Sequence, residues 1–102
     1  MRPIHVADLD KRRPVLVLTR EIVRPALTRV TVAPITTRRR GLSTEVPVGV
    51  ANGLAEEGAV TCDNIVTIPV DALGGLIGYL LPSQEQRLTE AIMLAFDLEW
   101  SE

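Results

Sequence analysis

Arg13-Pro14-Val15-Leu16-Val17-Leu18-Thr19 and Val30-Thr31-Val32-Ala33-Pro34-Ile35-Thr36-Thr37-Arg38-Arg39-Arg40-Gly41 decide the fold. Each is a short apolar run rich in Val, Ile and Leu with cations and hydroxyls at one end, the pattern of a buried or half-buried strand. An unpaired charge cannot enter a core, so the cations must stand where the strands emerge. Paired antiparallel, the start of the first run lies beside the end of the second. Arg13 then neighbours Thr36 and the arginine run. A guanidinium fork among hydroxyls and further guanidiniums suits a phosphate.

Working outward, Ile4 to Asp8 alternates weakly and reads as a first strand, joined to Pro14 by the polar link Asp10 to Arg13. Glu21 to Thr28, carrying Pro25, is a connection with room for one helical turn. Pro34 cannot donate to a ladder, so an edge or a bulge is expected there. Arg38 to Gly41 is a turn, and Glu45 to Val48 a strand with Val46 and Val48 inward. Gly49 to Gly58 is a loop. Ala59 to Asp63 is a strand that Ile65 to Ile68 continues. Val70 to Leu73 reads as a short helix ended by Gly74-Gly75, and Leu76 to Leu81 as a last strand. A helix then runs from Ser83, with Ser83 as N-cap and Gln86 completing a capping box. Leu88, Ala91, Ile92, Ala95 and Phe96 recur on one face of it. The 102 residues make one domain: α+β with β dominant, a small antiparallel sheet curled into a partly open barrel with a C-terminal helix.

The net charge of −2 hides an asymmetry. Residues 1–40 hold ten of the eleven Lys and Arg against three acids, a net of +7; residues 41–102 hold only Arg87 against ten acids, a net of −9. Either the two halves pair across the fold or the cations share a face that takes a polyanion. Aromatics make up 3% of the chain, which leaves little for base-stacking platforms. Cys62 is the only cysteine, so no internal disulfide forms, and it reads as a small buried residue. No signal-like segment or run of about 20 apolar residues occurs, so the expectation is a cytoplasmic protein with no membrane partner.

The ordered set Asp8-Leu9, Arg13-Pro14-Val15-Leu16-Val17, Val32-Ala33-Pro34-Ile35-Thr36-Thr37, Val60-Thr61-Cys62-Asp63-Asn64-Ile65-Val66-Thr67-Ile68 and a capped C-terminal helix resembles the MazF/PemK toxins. The likeness spans Ile4 to Leu98. It implies a homodimer of SH3-like barrels that cleaves single-stranded RNA at short motifs, without metal or other cofactor. It also implies a cognate antitoxin whose extended tail covers the RNA groove. The family's catalytic arginine and threonine fall on Arg13 and Thr36, and an aspartate used by some members falls on Asp63. The family's long loop between the first two strands is cut to Asp10-Lys11-Arg12. Basic residues that other members carry in the fifth-strand motif are Thr61 and Val66 here, so no general acid is transferred to either.

Metal-free RNA cleavage uses the ribose 2′-OH as nucleophile and leaves a 2′,3′-cyclic phosphate and a 5′-OH. It needs a base, stabilisation of the phosphorane and a proton for the leaving oxygen. Arg13 suits the phosphorane; as an ordinary strand-start cation it would pair with Asp8 or Asp10. Thr36 can hold a phosphate oxygen or the 2′-OH, and Thr37 points to the opposite face if the strand continues. Lys11, Arg12, Thr37, Arg38 and Arg39 are the candidate RNA-binding residues, able to position phosphates without reading sequence. Asp63 is either a general base or a turn former at Asn64. His5 reads as structural, and Trp100 as a cap on the core or a dimer contact. A gyrase-binding toxin of the same fold and a lapsed RNA-binding module are the alternatives.

Overall fold

The computed structural model describes residues 1–99; Trp100, expected to cap the core or a dimer contact, lies outside them. Seven strands run β1 Pro3–Asp8, β2 Arg12–Val17, β3 Arg29–Thr36, β4 Glu45–Val48, β5 Gly58–Thr61, β6 Val66–Pro69 and β7 Leu73–Tyr79, followed by one helix, α1 Glu85–Ala95. They form an open sheet in the order β4-β5-β3-β2-β1-β7, with β6 also paired to β3, and every pairing is antiparallel.

The unbroken run Val15-Leu16-Val17 is explained by burial on both faces of β2, since alternate residues enter different cores. Leu16 joins Ile4, Ala33, Ile35, Val46, Val60 and the helix residues Leu88 and Ala91. Val15 and Val17 join Ala7, Val30, Val32 and Ile68 on the other side. A chain with so few aromatics therefore builds two small aliphatic cores around one central pair of strands, β2 and β3. Burying each Val, Leu and Ile among them contributes roughly 1.5–3 kcal/mol before ordering costs.

Pro34 sits within a central strand rather than at an edge. It pairs with Val15 on one side. On the other side β3 changes partner: Arg29–Val32 pair with β6, and Ile35 and Thr36 with β5. The missing N–H of Pro34 falls in that gap, and its carbonyl accepts a hydrogen bond from Thr61 Oγ1 at 2.7 Å. The same switch breaks the expected continuous strand from Ala59 to Ile68. A 3₁₀ turn, Cys62–Asn64, carries the chain from one half of β3 to the other.

Two other expectations change. Gly74 and Gly75 lie inside β7 instead of ending a helix; the helical piece before them is a single 3₁₀ turn, Val70–Ala72. Ser83 does not cap α1. Pro82–Gln84 form a 3₁₀ turn, and Gln84 Oε1 accepts from Leu81 N at 2.9 Å and from Asn52 Nδ2 at 2.7 Å. The longer amide side chain reaches both a free backbone donor and a buried asparagine, which a serine hydroxyl cannot span. Leu88 and Ala91 of α1 are buried as expected, but Phe96 and Leu94 remain more than half exposed.

Candidate active site

The β2–β3 register is Val15↔Pro34, Leu16↔Ala33 and Val17↔Val32. Extending it by two residues sets Arg13 opposite Thr36. Both have the parity of Val15, Val17, Val30 and Val32, so both project from the same face of the sheet, just beyond the end of the core. They line one cavity of about 480 Å³ together with Arg38, Arg39, Arg40, Thr44, Glu45, Thr61 and Asp63.

Arg13 is held from one side only. Its Nη2 donates to Asp10 Oδ2 at 3.1 Å, and its side chain is 22% exposed. Its Nε is buried without a hydrogen-bond partner among the described residues. A guanidinium so incompletely satisfied keeps donor capacity at its Nη end, which an anion in the cavity can take up. The pairing with Asp10, at the short β1–β2 link, aims the guanidinium and offsets its charge only in part, because Asp10 is exposed and screened by solvent.

Thr36 Oγ1 accepts from Arg38 N at 3.1 Å. Its hydroxyl proton therefore remains available to a ligand oxygen. Gly58 makes room for this corner: a Cβ there would collide with the Thr36 carbonyl. Thr37, of opposite parity, is exposed and outside the cavity wall.

The arginine-bearing segment between β3 and β4 has no regular structure, yet most of its backbone is tied down. The Glu45 carboxylate, 6% exposed, accepts from Arg40 N at 3.1 and 3.2 Å and from Leu42 N at 3.1 Å. Gly41, at φ +73°, supplies the left-handed residue that turns both N–H groups toward that carboxylate. From α1, Arg87 Nη1 donates to Ser43 O at 2.8 Å and Nη2 to Leu42 O at 3.4 Å. Thr44 Oγ1 donates to Asp63 Oδ2 at 2.6 Å. Asp63 is exposed on the Cys62–Asn64 turn, and its partner is this hydroxyl rather than the backbone at Asn64.

Of the residues singled out from the sequence, Arg13, Thr36, Asp63, Arg38 and Arg39 come together. Lys11, Arg12 and Thr37 do not line the cavity. Arg12 turns the other way: Nη1 donates to Asp8 Oδ1 at 2.9 Å and the guanidinium lies over Gly74. Arg40, Thr44, Glu45 and Thr61 were missed. Arg40 is contiguous with the arginine run, which is signal enough. Glu45 carries no sequence signal, because its partners are backbone N–H groups.

The charge asymmetry resolves toward a cationic face. Among the described residues, the side-chain ion pairs of the first forty residues are Arg2–Glu85, Arg12–Asp8, Arg13–Asp10 and Arg24–Glu21, and only the first crosses between the halves. Arg38, Arg39 and Arg40 have none. His5 Nδ1 donates to Gly74 O at 2.9 Å across the β1–β7 pair, a structural role. Cys62 is buried behind the cavity, and burial, with Asp63 next to it, pushes its thiol up from 9.0 to about 11.

The family described as PemK-like, MazF-like toxin of type II toxin-antitoxin system matches residues 3–96. The chain is 68% identical over 100 residues to endoribonuclease MazF3 of Mycobacterium tuberculosis, covering 98% of this chain and 97% of that protein. It is 34% identical over 87 residues to the probable endoribonuclease MazF5 of the same species, 84% of this chain and 80% of that one. Among solved structures, the Mycobacterium tuberculosis toxin MazF-mt6 superposes with a TM-score of 0.95 at 68% identity, over 97% of this chain and 100% of that one. An endoribonuclease from a mycobacterial species, in complex with its cognate antitoxin, superposes at 0.86 with 28% identity, over 97% and 95%. The chain belongs to the PemK-like, MazF-like toxin family of type II toxin–antitoxin systems, and is an endoribonuclease.

Proposed function

We propose that the Arg13 cavity cleaves single-stranded RNA without metal, by attack of a ribose 2′-OH on the adjacent phosphate, giving a 2′,3′-cyclic phosphate and a 5′-OH. The observation that carries this reading is the cross-strand placement of Arg13 and Thr36 on one cavity wall. The Nη end of Arg13 meets the non-bridging oxygens and takes up the charge that grows on the phosphorane. Thr36 Oγ1 donates to the 2′-oxygen or a phosphate oxygen and fixes the line of attack. Asp63 faces the same space with one oxygen held by Thr44, and serves as the base that draws off the 2′-OH proton, while solvent water protonates the leaving 5′-oxygen. Arg38, Arg39 and Arg40 hold flanking phosphates on a loop that Glu45 and Arg87 keep in place.

Partners follow from the same reading. The cavity is open, cationic and suited to an extended polyanion, and an antitoxin tail with carboxylates would compete for it. The mycobacterial relative solved with its cognate antitoxin supports such a partner. Leu94, Phe96 and Leu98, each more than half exposed at the end of α1, support a two-fold homodimer.

The test is cleavage of a labelled RNA in excess chelator, with mass analysis of the ends. Cyclic phosphate and 5′-OH termini are expected, and a single 2′-deoxy substitution at the scissile nucleotide abolishes the cut. Products ending in 3′-OH and 5′-phosphate, or a strict need for divalent cation, would refute the mechanism.

A further inference from the structure

The signature of Arg13 occurs a second time, at the other end of β2. Arg24 lies in the 3₁₀ turn Glu21–Ala26, and its side chain is 23% exposed. Like Arg13, it has a buried Nε with no hydrogen-bond partner among the described residues. Its acid neighbour is loose: Nη2 stands 3.7 Å from Glu21 Oε1, beyond hydrogen-bond reach. Arg24 lines a cavity of about 210 Å³ with Arg2, Thr19 and Arg20.

The charges there do not balance. Three guanidiniums, Arg2, Arg20 and Arg24, face two carboxylates, Glu21 and Glu85. Arg2 is committed, its Nε to Glu85 at 3.1 Å and Nη1 to Leu18 O at 3.3 Å. Arg20 has no ion pair among the described residues. The unspent donors therefore belong to Arg20 and Arg24, beside a space large enough for a phosphate group and part of its sugar. Arg24 is largely buried and Arg20 exposed beside it, two like charges without a strong counter-ion, and a bound anion removes their repulsion.

We infer that this cavity is a second phosphate-binding site, separate from the Arg13 cavity. It takes a phosphate group, either a diester of the bound RNA strand or a free phosphate. Arg24 and Arg20 supply the fork and the outer cation. Arg13 and Thr19 are six positions apart along β2 and the extended residues that follow it, roughly 20 Å of chain. An RNA reaching both sites must therefore extend well past the scissile linkage, and the site adds affinity for long RNA without touching the reacting atoms. The RNA arm of this inference rests on the endoribonuclease reading above; the free-phosphate arm does not.

The experiment compares wild type with Arg24→Gln and Arg20→Gln. Substrates are an RNA just filling the Arg13 cavity and one extended by roughly 20 Å on each side. For the long RNA, KM should rise about tenfold in Arg24→Gln, the effect of one charge-assisted contact. The slope of log affinity against log salt should shrink by about 0.7. The short RNA should show unchanged kcat and KM, and Arg24→Lys should recover part of the loss. In parallel, inorganic phosphate is titrated while the arginine Nε–H resonances are followed by NMR. Saturable shifts at Arg24 with unchanged long-RNA kinetics assign the site to free phosphate. Unchanged long-RNA KM and salt slope together with no phosphate response at Arg24 overturn the inference. If wild type cleaves neither RNA, the mechanism above has failed and the phosphate titration alone decides this site.

Discussion

Replacing Arg13 by Ala separates chemistry from stability with unusual clarity, because the structure bounds both effects. On the stability side, the side chain's one partner among the described residues is Asp10, itself 73% exposed. Exposed ion pairs of this kind contribute about 0–1 kcal/mol. The truncation also removes a buried Nε that has no partner, which offsets part of that loss. The expected destabilisation is thus under about 1 kcal/mol, a Tm change within about 4–8 °C for a domain this size. On the chemical side, removing one preorganised donor to a developing oxyanion costs about 10²–10³ in kcat, or about 2.7–4 kcal/mol. Arg13→Lys restores a point charge without the fork and should recover about one decade of rate. Asp10→Asn leaves the guanidinium in place but less firmly aimed, so it should cost only a few-fold. Single-turnover cleavage of a labelled RNA, with thermal unfolding of the same samples, reads all four proteins. Activity of Arg13→Ala within about threefold of wild type would refute the assignment. So would a rate loss matched by global unfolding.

Thr36→Val keeps the β-branched shape but removes the hydroxyl that accepts from Arg38 N; kcat should fall about tenfold or more, with Thr36→Ser close to wild type. Cys62, buried and pushed up to about 11, should resist iodoacetamide near neutral pH in the native protein and react once unfolded in urea. The sign for stability follows: the unfolded thiol ionises first, so the stability present below pH 9.0 declines as pH climbs toward about 11. Asp97 ends α1 at φ +54°, where Leu98 N reaches back to Met93 O at 2.7 Å and Asp97 N to Leu94 O at 3.3 Å. Asp97→Gly should therefore raise the unfolding free energy by about 0.5–1 kcal/mol in a urea titration, through relief of left-handed strain.

The convergence of Arg13 and Thr36 was legible because it needs little information: two apolar runs, an antiparallel pairing, and charges that cannot enter a core. Pro34 reads from the sequence as an edge or bulge residue because an interior ladder member must donate. Its position makes sense only once β3 is seen to hand over from β6 to β5, a tertiary fact with no local mark. The same handover hid the break at Cys62–Asn64, where the apolar pattern alone reads straight through. Ser83 met every local rule for an N-cap and lost to Gln84, whose amide serves Asn52, 32 positions away in sequence, as well as its own turn. Thr37 and Arg12 were grouped with the site by adjacency in sequence. Thr37 lies just past the end of β3, and Arg12 turns to Asp8 and Gly74 on the opposite face.

Glu45 marks the limit of that legibility and also explains how the site can exist. Three successive arginines on one loop repel one another, and an unrestrained loop would spread them into solvent. A buried carboxylate accepting from Arg40 N and Leu42 N holds the backbone in the one shape that keeps the guanidiniums over the cavity, and it places negative charge beneath them. Arg87 closes the loop from α1, so the helix that covers one core also braces the wall of the site. Preorganisation of this kind is what lets fixed charges stabilise a phosphorane without reorganising at the moment of reaction. It predicts that Arg87→Met, far from any reacting atom, lowers RNA affinity more than it lowers kcat. An Arg87→Met protein with wild-type KM would show that the loop holds its shape through Glu45 alone.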